Sequence, residues 1–213
     1  MPQAQTIKPR KTRIQAQNEE LILDAALEVF SAYGFRGTTV DQIAARASLS
    51  KPNLLYYFRR KEDIYRAVLE RTLEGWLEPL RRIEPAGEPL DEIARYIRAK
   101  IRMARERPEA SRFFANEILH GAPVIGDFLR GPLRDLVDEK AALIATWIAA
   151  GRIARVDPRH LIMSIWATTQ HYADFGHQIE TLNGGKPLSA KQWAEAKDSV
   201  KRIILTGIGA LTP

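Results

Sequence analysis

Apolar residues recur every three or four positions along most of this chain, which is the spacing of an amphipathic helix. The period-two alternation of a β-strand is not sustained anywhere, and no hairpin dipeptide lies between apolar runs. The pattern therefore predicts an all-α fold of about nine helices. The predicted helical regions are residues 18–33, 39–47, 50–57, 61–80, 90–107, 110–119, 123–150, 158–182 and 189–207, with an interruption at Gly131-Pro132.

Two short helices joined by a tight turn are predicted between residues 38 and 62. Thr39 can cap the first of them, because Gln42 lies three positions further on and completes a capping box. Ser50 can cap the second helix, whose first turn tolerates Pro52. With the preceding helix packed behind them, the two form a helix-turn-helix, whose second helix can enter the major groove of DNA.

The outward face of that second helix suits a DNA groove better than it suits water. It combines a cation, an amide, an aliphatic side chain and two phenols, which can contact base edges, phosphates and a thymine methyl. An ordinary helical hairpin with aromatic residues on its surface is the alternative interpretation. The candidate DNA-binding residues are Thr39, Lys51, Pro52, Asn53, Leu55, Tyr56, Tyr57 and Lys61.

Positive charge is concentrated in the same part of the chain. The net charge is +6, and residues 1–61 contribute +5 of it, with ten Lys or Arg against five Asp or Glu. Such an excess is the expected electrostatic footprint of a nucleic-acid-binding domain. Residues 1–17 are predicted to be a flexible basic arm, which either follows the DNA or is simply solvated. We place the DNA-binding domain at 18–61 and a ligand-binding and dimerisation domain at 62–213.

Several functional classes are disfavoured by what the sequence lacks. No run approaches the roughly 20 apolar residues of a membrane span, and the N-terminus has no apolar signal-peptide core. The chain has no cysteine, which fits a cytoplasmic protein and removes thiolate metal sites. Hydrolase, nucleotide-binding and zinc-protease motifs are absent, and no two of the four histidines have ligand spacing. We therefore predict no enzyme activity, no catalytic or metal site and no cofactor.

The last two long helices carry apolar stripes that either pack within one domain or form a homodimer. One helix-turn-helix makes few base contacts, and a two-fold dimer reads two half-sites of double-stranded DNA. We therefore predict that these stripes are a dimer surface. Its residues are Trp193, Ala196, Val200, Ile203, Ile204 and Ile208 on the final helix, and Ile165, Tyr172 and Phe175 on the preceding one.

Aromatic and amide side chains in the larger domain predict a small-molecule pocket. Trp166 and Gln170 lie one turn apart on the same helix, and a buried glutamine needs hydrogen-bond partners. Aromatic walls and a primary amide suit a flat, polar heterocycle, although aromatics at this spacing also occur in ordinary cores. The candidate ligand-binding residues are Trp76, Phe113, Phe114, Asn116, Trp166 and Gln170.

A family resemblance covers the helix-turn-helix. The stretch GFRGTTVDQIAARASLSKPNLLYYFRRKEDIY resembles the DNA-binding motif of the TetR family of bacterial repressors. Many relatives have tyrosine at the position of Leu55, so this chain is expected to make an apolar base contact there. The resemblance also implies an operator DNA partner and a homodimer that joins its last two long helices as a four-helix bundle.

The resemblance extends over nearly the whole chain from about Ile22, including the segments GWLEPL, PEASRFF and DPRHLIMSIWATTQHYADF. In this range the chain is similar to TetR-family repressors that release their operator on binding uracil or thymine. This similarity implies a pyrimidine effector, bound through Trp76, Trp166 and Gln170, and control of pyrimidine-utilisation genes. Two alternatives are a repressor for another small aromatic inducer and a constitutive dimeric DNA-binding protein without a ligand.

Overall fold

The computed structural model describes residues 13–209, and every regular element in that range is helical. The predicted all-α fold is therefore confirmed. A π-helical segment, Leu129–Leu133, separates two of the α-helices. The α-helices are α1 Arg13–Gly37, α2 Val40–Arg46, α3 Lys51–Tyr57, α4 Lys61–Arg81, α5 Pro89–Glu106, α6 Pro108–Leu119, α7 Gly126–Phe128, α8 Arg134–Ala149, α9 Pro158–Asp174, α10 Gly176–Leu182 and α11 Ala190–Ile208.

Each predicted helical region has a counterpart, and two of them are divided. Region 123–150 becomes α7, the π-helical segment and α8, and the π turn contains the predicted Gly131-Pro132 interruption. Proline has no N–H to donate at that position, so the regular hydrogen-bond ladder cannot continue through it. Region 158–182 divides at Phe175, whose φ of −109° and ψ of 31° end α9.

Helix α1 begins at Arg13, which is earlier than the predicted start at residue 18. Residues 13–17 of the predicted basic arm are therefore helical, and residues 1–12 lie outside the described residues. The first predicted helical region ends at residue 33, and the structure departs from helical geometry at the next residue, Gly34. This glycine has φ 68° and ψ 177° and bends the chain inside the α1 range, in a conformation that side chains rarely adopt.

The chain divides into two compact units, with Val68 ending the first and Leu69 opening the second. The sequence-based limit lay at residues 61 and 62, where α4 starts. Since α4 is a single helix, the division falls within it. The interior of the first unit is apolar, and its most buried side chains include Ile22, Phe30, Ile43, Leu54 and Ile64.

The core of the second unit gathers side chains from helices α4, α5, α8, α9 and α11. Its most buried members include Leu80, Ile93, Ile97, Ile144 and Ile162. None of the described helices is both long enough and apolar enough to cross a membrane.

Some residues that the sequence pattern assigned to the dimer surface are instead buried within one chain. Four residues of the predicted surface are buried within a single chain, so they cannot form a surface between two copies: Ile165, Ala196, Val200 and Ile208. Helical spacing shows that a face is apolar but not which neighbour covers it. By contrast, Ile203 is 66% exposed and Phe175 is 55% exposed, and both keep their apolar surface available.

Candidate functional site

Side-chain caps hold the helix-turn-helix in shape. The Thr39 hydroxyl accepts a hydrogen bond from the Gln42 N–H at 3.2 Å, and the Gln42 side chain accepts one from the Thr39 N–H at 2.7 Å. This is the predicted capping box. The predicted second cap is also present, since Ser50 Oγ accepts from the Asn53 N–H at 3.3 Å. Between the caps, Ser48 turns the chain with a positive φ of 57°.

Helix α3 presents the face that the sequence pattern predicts. Leu54 and Phe58 are buried and hold the helix to its neighbours. Leu55 and Tyr57 are half-buried, so each keeps part of its side chain at the surface. The exposed residues of the predicted set are Thr39, Lys51, Pro52, Asn53 and Tyr56.

The N-terminal turns of α1 orient the two phenols of α3. Gln15 Nε2 donates to the Tyr56 hydroxyl at 3.2 Å, and Asn18 Nδ2 donates to the Tyr57 hydroxyl at 2.9 Å. Each phenol accepts in these contacts, so its own O–H remains a potential donor. Sequence reasoning missed both amides. Their spacing of three positions on α1, which places them on one face, is the signal that could have found them.

The two lysines of the predicted DNA-binding set have different surroundings. Lys61 Nζ donates to the carbonyls of Phe35 at 2.7 Å and Thr38 at 2.8 Å, so two of its three donors tie α4 to the end of α1 and the residue that follows it. Lys51 pairs with Asp41 at 2.8 Å, and both side chains are at least half exposed. An exposed pair of this kind contributes little stability and can exchange its carboxylate for a phosphate.

Four of the six candidate ligand-binding residues take part in an interior cluster of the second unit. Trp76 is buried, and its ring centre lies 6.3 Å from that of Phe114. Trp166 Nε1 donates to the Tyr96 hydroxyl at 2.5 Å, which joins α9 to α5. Gln170 is half-buried one helical turn after Trp166.

The remaining two candidates differ in burial. Phe113 is buried on α6, as an ordinary core residue would be. Asn116 is exposed on the same helix, so the structure does not place its amide in the interior cluster. An amide in this position is hydrated without any ligand, so we do not assign Asn116 to the interior cluster.

Two rows of side chains face each other where α5 meets α9. Tyr96 and Lys100 are one turn apart on α5, while Trp166, Gln170 and Asp174 follow each other at one-turn intervals on α9. The rows are linked at one end by the Trp166 to Tyr96 hydrogen bond and at the other by electrostatic attraction between Lys100 and Asp174. Gln170 therefore lies between two linked pairs.

Burial changes the acid–base properties of this cluster. It lowers the pKa of Lys100 to about 7, against the opposing attraction of Asp174. It raises the pKa of Asp174, although a hydrogen bond from Ser111 and the nearby Lys100 act in the other direction. It also raises the pKa of Tyr96, which the bond from Trp166 partly offsets. The cluster is thus polar and titratable inside an apolar bundle.

Lys100, Tyr96, Ser111 and Asp174 were not among the residues named from sequence. One signal was present, because Lys100 interrupts the apolar face that runs from Ile93 through Ala104 on α5. The partnership with Asp174 has no such signal, since the two residues are far apart along the chain.

Three surface cavities lie elsewhere on the second unit, with volumes of about 730, 420 and 270 Å³. None of the three is lined by a candidate ligand-binding residue, although Tyr96 borders the first. These three cavities are therefore not the candidate ligand site. Within residues 13–209, no group of three side chains is arranged to hold a metal ion.

Comparison with known protein families agrees with this architecture. Residues 22–68 match the family described as bacterial regulatory proteins, tetR family. The chain belongs to the TetR family. Residues 69–211 match the C-terminal region of YcdC-like proteins, so the border between the two matches coincides with the border between the structural units.

Among curated TetR-family relatives, the chain is 46% identical to the HTH-type transcriptional regulator RutR of Escherichia coli K12, over 93% of this chain and 94% of RutR. The RutR of Shigella flexneri matches equally well, at 46% identity and the same coverage.

Solved structures share the fold. A transcriptional regulator from Streptomyces coelicolor superposes with a TM-score of 0.71 at 20% identity, covering 91% of this chain and 99% of its own. AibR in complex with isovaleryl coenzyme A and operator DNA gives 0.67 at 19% identity, covering 87% of this chain and 97% of AibR. The chain is thus a DNA-binding transcriptional regulator, and its family confirms the prediction that it is not an enzyme.

Proposed function

We propose that this TetR-family regulator is a homodimeric repressor that releases its operator when it binds uracil or thymine. The observation that carries the proposal is the position of Gln170, between the Trp166–Tyr96 pair and the Lys100–Asp174 pair inside the second unit. The similarity to RutR across almost the whole chain supports a shared regulatory role. The genes controlled would be those of pyrimidine utilisation, and the protein would act in the cytoplasm.

DNA recognition is assigned to helix α3. Asn53 is exposed and can hydrogen-bond a base edge, and Leu55 can contact a thymine methyl. Lys51 can exchange Asp41 for a phosphate, and the oriented phenols of Tyr56 and Tyr57 can donate to further phosphates. Phosphate contacts of this kind position the helix, while the base contacts select the sequence.

Effector recognition is assigned to the interior cluster. A uracil ring has an imide edge with an N–H between two carbonyls, and one glutamine amide can donate to and accept from that edge. Gln170 would supply this pairing. The indole rings of Trp76 and Trp166 would form apolar walls beside the heterocycle, as aromatic side chains do around flat rings.

Helix α4 is proposed to carry the response. It is one helix from Lys61 to Arg81, so Lys61 belongs to the first unit and Trp76 to the second. A ligand that binds one orientation of this helix better than another shifts the population toward that orientation. Operator release then follows only if the favoured orientation binds DNA less well.

The homodimer is proposed to form through the apolar surface that α9 and α11 leave exposed. Met163 is 50% exposed on α9 and Ile203 is 66% exposed on α11. Ala167 is exposed one turn beyond Met163, and a small residue allows close helix packing. These positions replace the buried part of the stripe predicted from sequence.

The test is an operator gel shift titrated with uracil, thymine or cytosine. Wild type should release DNA with the first two far more readily than with cytosine, whose donor–acceptor edge differs. Gln170→Leu leaves the imide groups unpaired and should raise the required concentration roughly ten- to a hundred-fold. Gln178→Leu, at an exposed glutamine on α10, is the matched control and should respond as wild type does.

Two outcomes separate the parts of this proposal. A wild-type complex that ignores every pyrimidine removes the effector assignment and leaves the repressor assignment standing. A wild type that responds, together with an unaffected Gln170→Leu variant, places the pyrimidine somewhere other than beside Gln170.

A further inference from the structure

Lys100 is a buried cation that has no direct anionic partner in the described part of the chain. The residue is 4% exposed, and its Nζ lies 3.8 Å from the centre of the Trp76 ring. Asp174 attracts it electrostatically, but the two form no ion pair, and the Asp174 carboxylate accepts a hydrogen bond from Ser111. Burial of an ammonium without acceptors is unfavourable, so the state of Lys100 requires an explanation.

A second buried lysine in the same unit shows how a structural lysine is satisfied. Lys140 is 6% exposed, donates to the Ile83 carbonyl at 3.2 Å and pairs with Glu139 at 3.0 Å. Lys100 faces an aromatic ring instead, which is a weaker partner than a carbonyl and a carboxylate together. The donors of Lys100 are therefore available to a group that comes from outside the chain.

The position of Lys100 decides what that group can be. Trp76 lies beside Lys100 and also packs near Phe114, and Gln170 is one turn before Asp174 on α9. A flat ring that pairs with Gln170 at the edge of Trp76 would carry its remaining polar atoms toward the ammonium. An oxygen with negative charge is the atom that an ammonium in a poorly hydrated interior attracts most strongly.

We propose that Lys100 binds a ring oxygen of the effector and selects effectors by the acidity of their imide. The inference rests on the proposed function, because it specifies the chemical class of ligand for the same site. A more acidic imide is present as its anion in a larger fraction, and in that anion the ring oxygens carry the negative charge that strengthens the contact with Lys100. A ring that turns an amino group toward Lys100 brings two donors together and is rejected.

The acid–base state of the site agrees with this role. Burial lowers the pKa of Lys100 to about 7, so near neutral pH the free protein holds this proton weakly. An effector oxygen would favour the charged form and raise the pKa again, since a hydrogen bond or opposite charge stabilises the cation.

Acidity can be separated from shape with 5-fluorouracil, which is more acidic than uracil and has fluorine in place of a hydrogen. The experiment measures the concentration of 5-fluorouracil, uracil and thymine that releases half of the operator from the full-length protein. Wild type should respond in that order, with 5-fluorouracil effective at the lowest concentration. Lys100→Met should require roughly ten- to a hundred-fold more of each compound. The differences among the three half-release concentrations should also become smaller.

Two further variants distinguish charge from hydrogen bonding and from stability. Lys100→Gln can still donate, so it should keep part of the affinity while losing the dependence on acidity. Lys140→Met removes the other buried lysine, and it should lower stability while leaving the order of effectors unchanged. Lys100→Met should be at least as stable as wild type, because it removes a buried charge without a direct partner.

The release experiment distinguishes failure of the Lys100 role from failure of the proposed pyrimidine effector. If wild type releases DNA with uracil and Lys100→Met keeps the wild-type concentrations and order, the role of Lys100 is refuted while the pyrimidine effector stands. If wild type ignores all three compounds, the proposed function fails and this inference fails with it. That result is visible before any variant is measured.

Discussion

The two units of this chain build their functional surfaces in opposite ways. In the first unit, the candidate DNA-reading face lies within a run of seven residues, Lys51–Tyr57, and each helix cap joins residues three positions apart. In the second unit, the candidate effector cluster brings together four helices, with Trp76 on α4, Lys100 on α5, Phe114 on α6 and Gln170 on α9. One surface follows from local sequence, and the other exists only after the bundle has folded.

The two units also differ in the surroundings of a lysine side chain, Lys61 in the first and Lys100 in the second. Lys61 in the first unit donates to two backbone carbonyls and contributes to the fold. Lys100 in the second unit is buried over Trp76 and has its pKa lowered to about 7. A satisfied cation stabilises the protein without needing a ligand, whereas an unsatisfied one lowers stability and is useful only when something binds it. By this criterion Lys61 is a structural residue, whereas Lys100 is a candidate ligand-binding residue.

The largest expected effect tests whether the second unit joins the two DNA readers. Ile203→Glu should give a monomer, because a carboxylate without a partner in an interface costs several kcal/mol and two copies would lie close together. Operator affinity should fall sharply with it, since one reader makes few base contacts. Sedimentation of the variant measures the first effect, and the gel shift measures the second.

Leu182→Glu is the matched control for this prediction. Leu182 is apolar and 82% exposed on α10, and it lies outside the predicted dimer stripes. The Leu182→Glu variant should remain dimeric and bind DNA as wild type does. If the Ile203→Glu variant is still dimeric, the dimer interface does not include this face of α11. The proposal that this surface of the second unit joins the two DNA-binding domains would then be wrong.

The next effect concerns stability against pH. The pKa of Lys100 is about 7 in the folded protein against 10.5 for an ordinary lysine, so between these values the folded state holds fewer protons than the unfolded state. Stability attributable to this group therefore rises with pH across that window, and it is lowest below pH 7. Lys100→Met should stabilise the protein most in acid, with the advantage shrinking toward pH 10.5.

Denaturant unfolding of wild type and Lys100→Met at pH 6, 8 and 10 measures this difference. Arg112 on α6 and His171 on α9 also act on Asp174, the acid that faces Lys100. A His171→Gln background separates the histidine from the lysine. A stability difference that stays constant with pH would mean that Lys100 is paired much as Lys61 is, and the contrast between the two cations would disappear.

Sequence reasoning succeeded where structure is local. The caps at Thr39 and Ser50 and the break at Gly34 follow from residue type and spacing alone, and all three are present. The interruption at Gly131-Pro132 was also visible, because proline cannot donate to the helix ladder.

It succeeded less where contacts are distant. Trp76, Trp166 and Gln170 were chosen by residue type and family resemblance, but the electrostatic attraction between Lys100 and Asp174 depends on the packing of α5 against α9. Likewise, the apolar spacing of α11 could not show that Val200 faces the core of its own chain while Ile203 faces outward. Periodicity identifies a face, and only the tertiary fold identifies what covers it.

A smaller effect tests the scaffold role of Lys61. Lys61→Ala leaves the carbonyls of Phe35 and Thr38 without their donor and should lower the stability of the first unit by about 2 kcal/mol. Lys51→Ala removes only an exposed pair and should cost less than about 1 kcal/mol. Amide hydrogen exchange in α1 to α3 reports both changes.

The same two variants separate folding from DNA contact. If Lys51 meets a phosphate, its loss should reduce the log–log salt dependence of operator binding by about 0.9. Lys61→Ala should leave that slope nearly unchanged. A slope that falls for Lys61→Ala as well would show that its third donor reaches the DNA, as the sequence analysis predicted.

The smallest effect uses two capping boxes of the same design, one in each unit. Thr39 and Gln42 cap the seven-residue helix α2, and Ser189 and Gln192 cap the nineteen-residue helix α11. Replacing either hydroxyl residue with alanine should cost about 1 kcal/mol, since an N–H at the helix start loses its acceptor. Hydrogen exchange should show the loss near each cap.

Only one of these two substitutions should change the affinity for operator DNA. Thr39→Ala loosens a short helix that supports α3 directly, so DNA affinity should fall together with local protection. Ser189→Ala loosens the start of α11, fourteen positions from Ile203, and a long helix can fray at one end while its remaining turns stay formed. Operator binding by Ser189→Ala should therefore match wild type. If both variants lose the same affinity, small changes in the second unit are transmitted to the DNA reader without any ligand, and the two units cannot be treated as separately built surfaces.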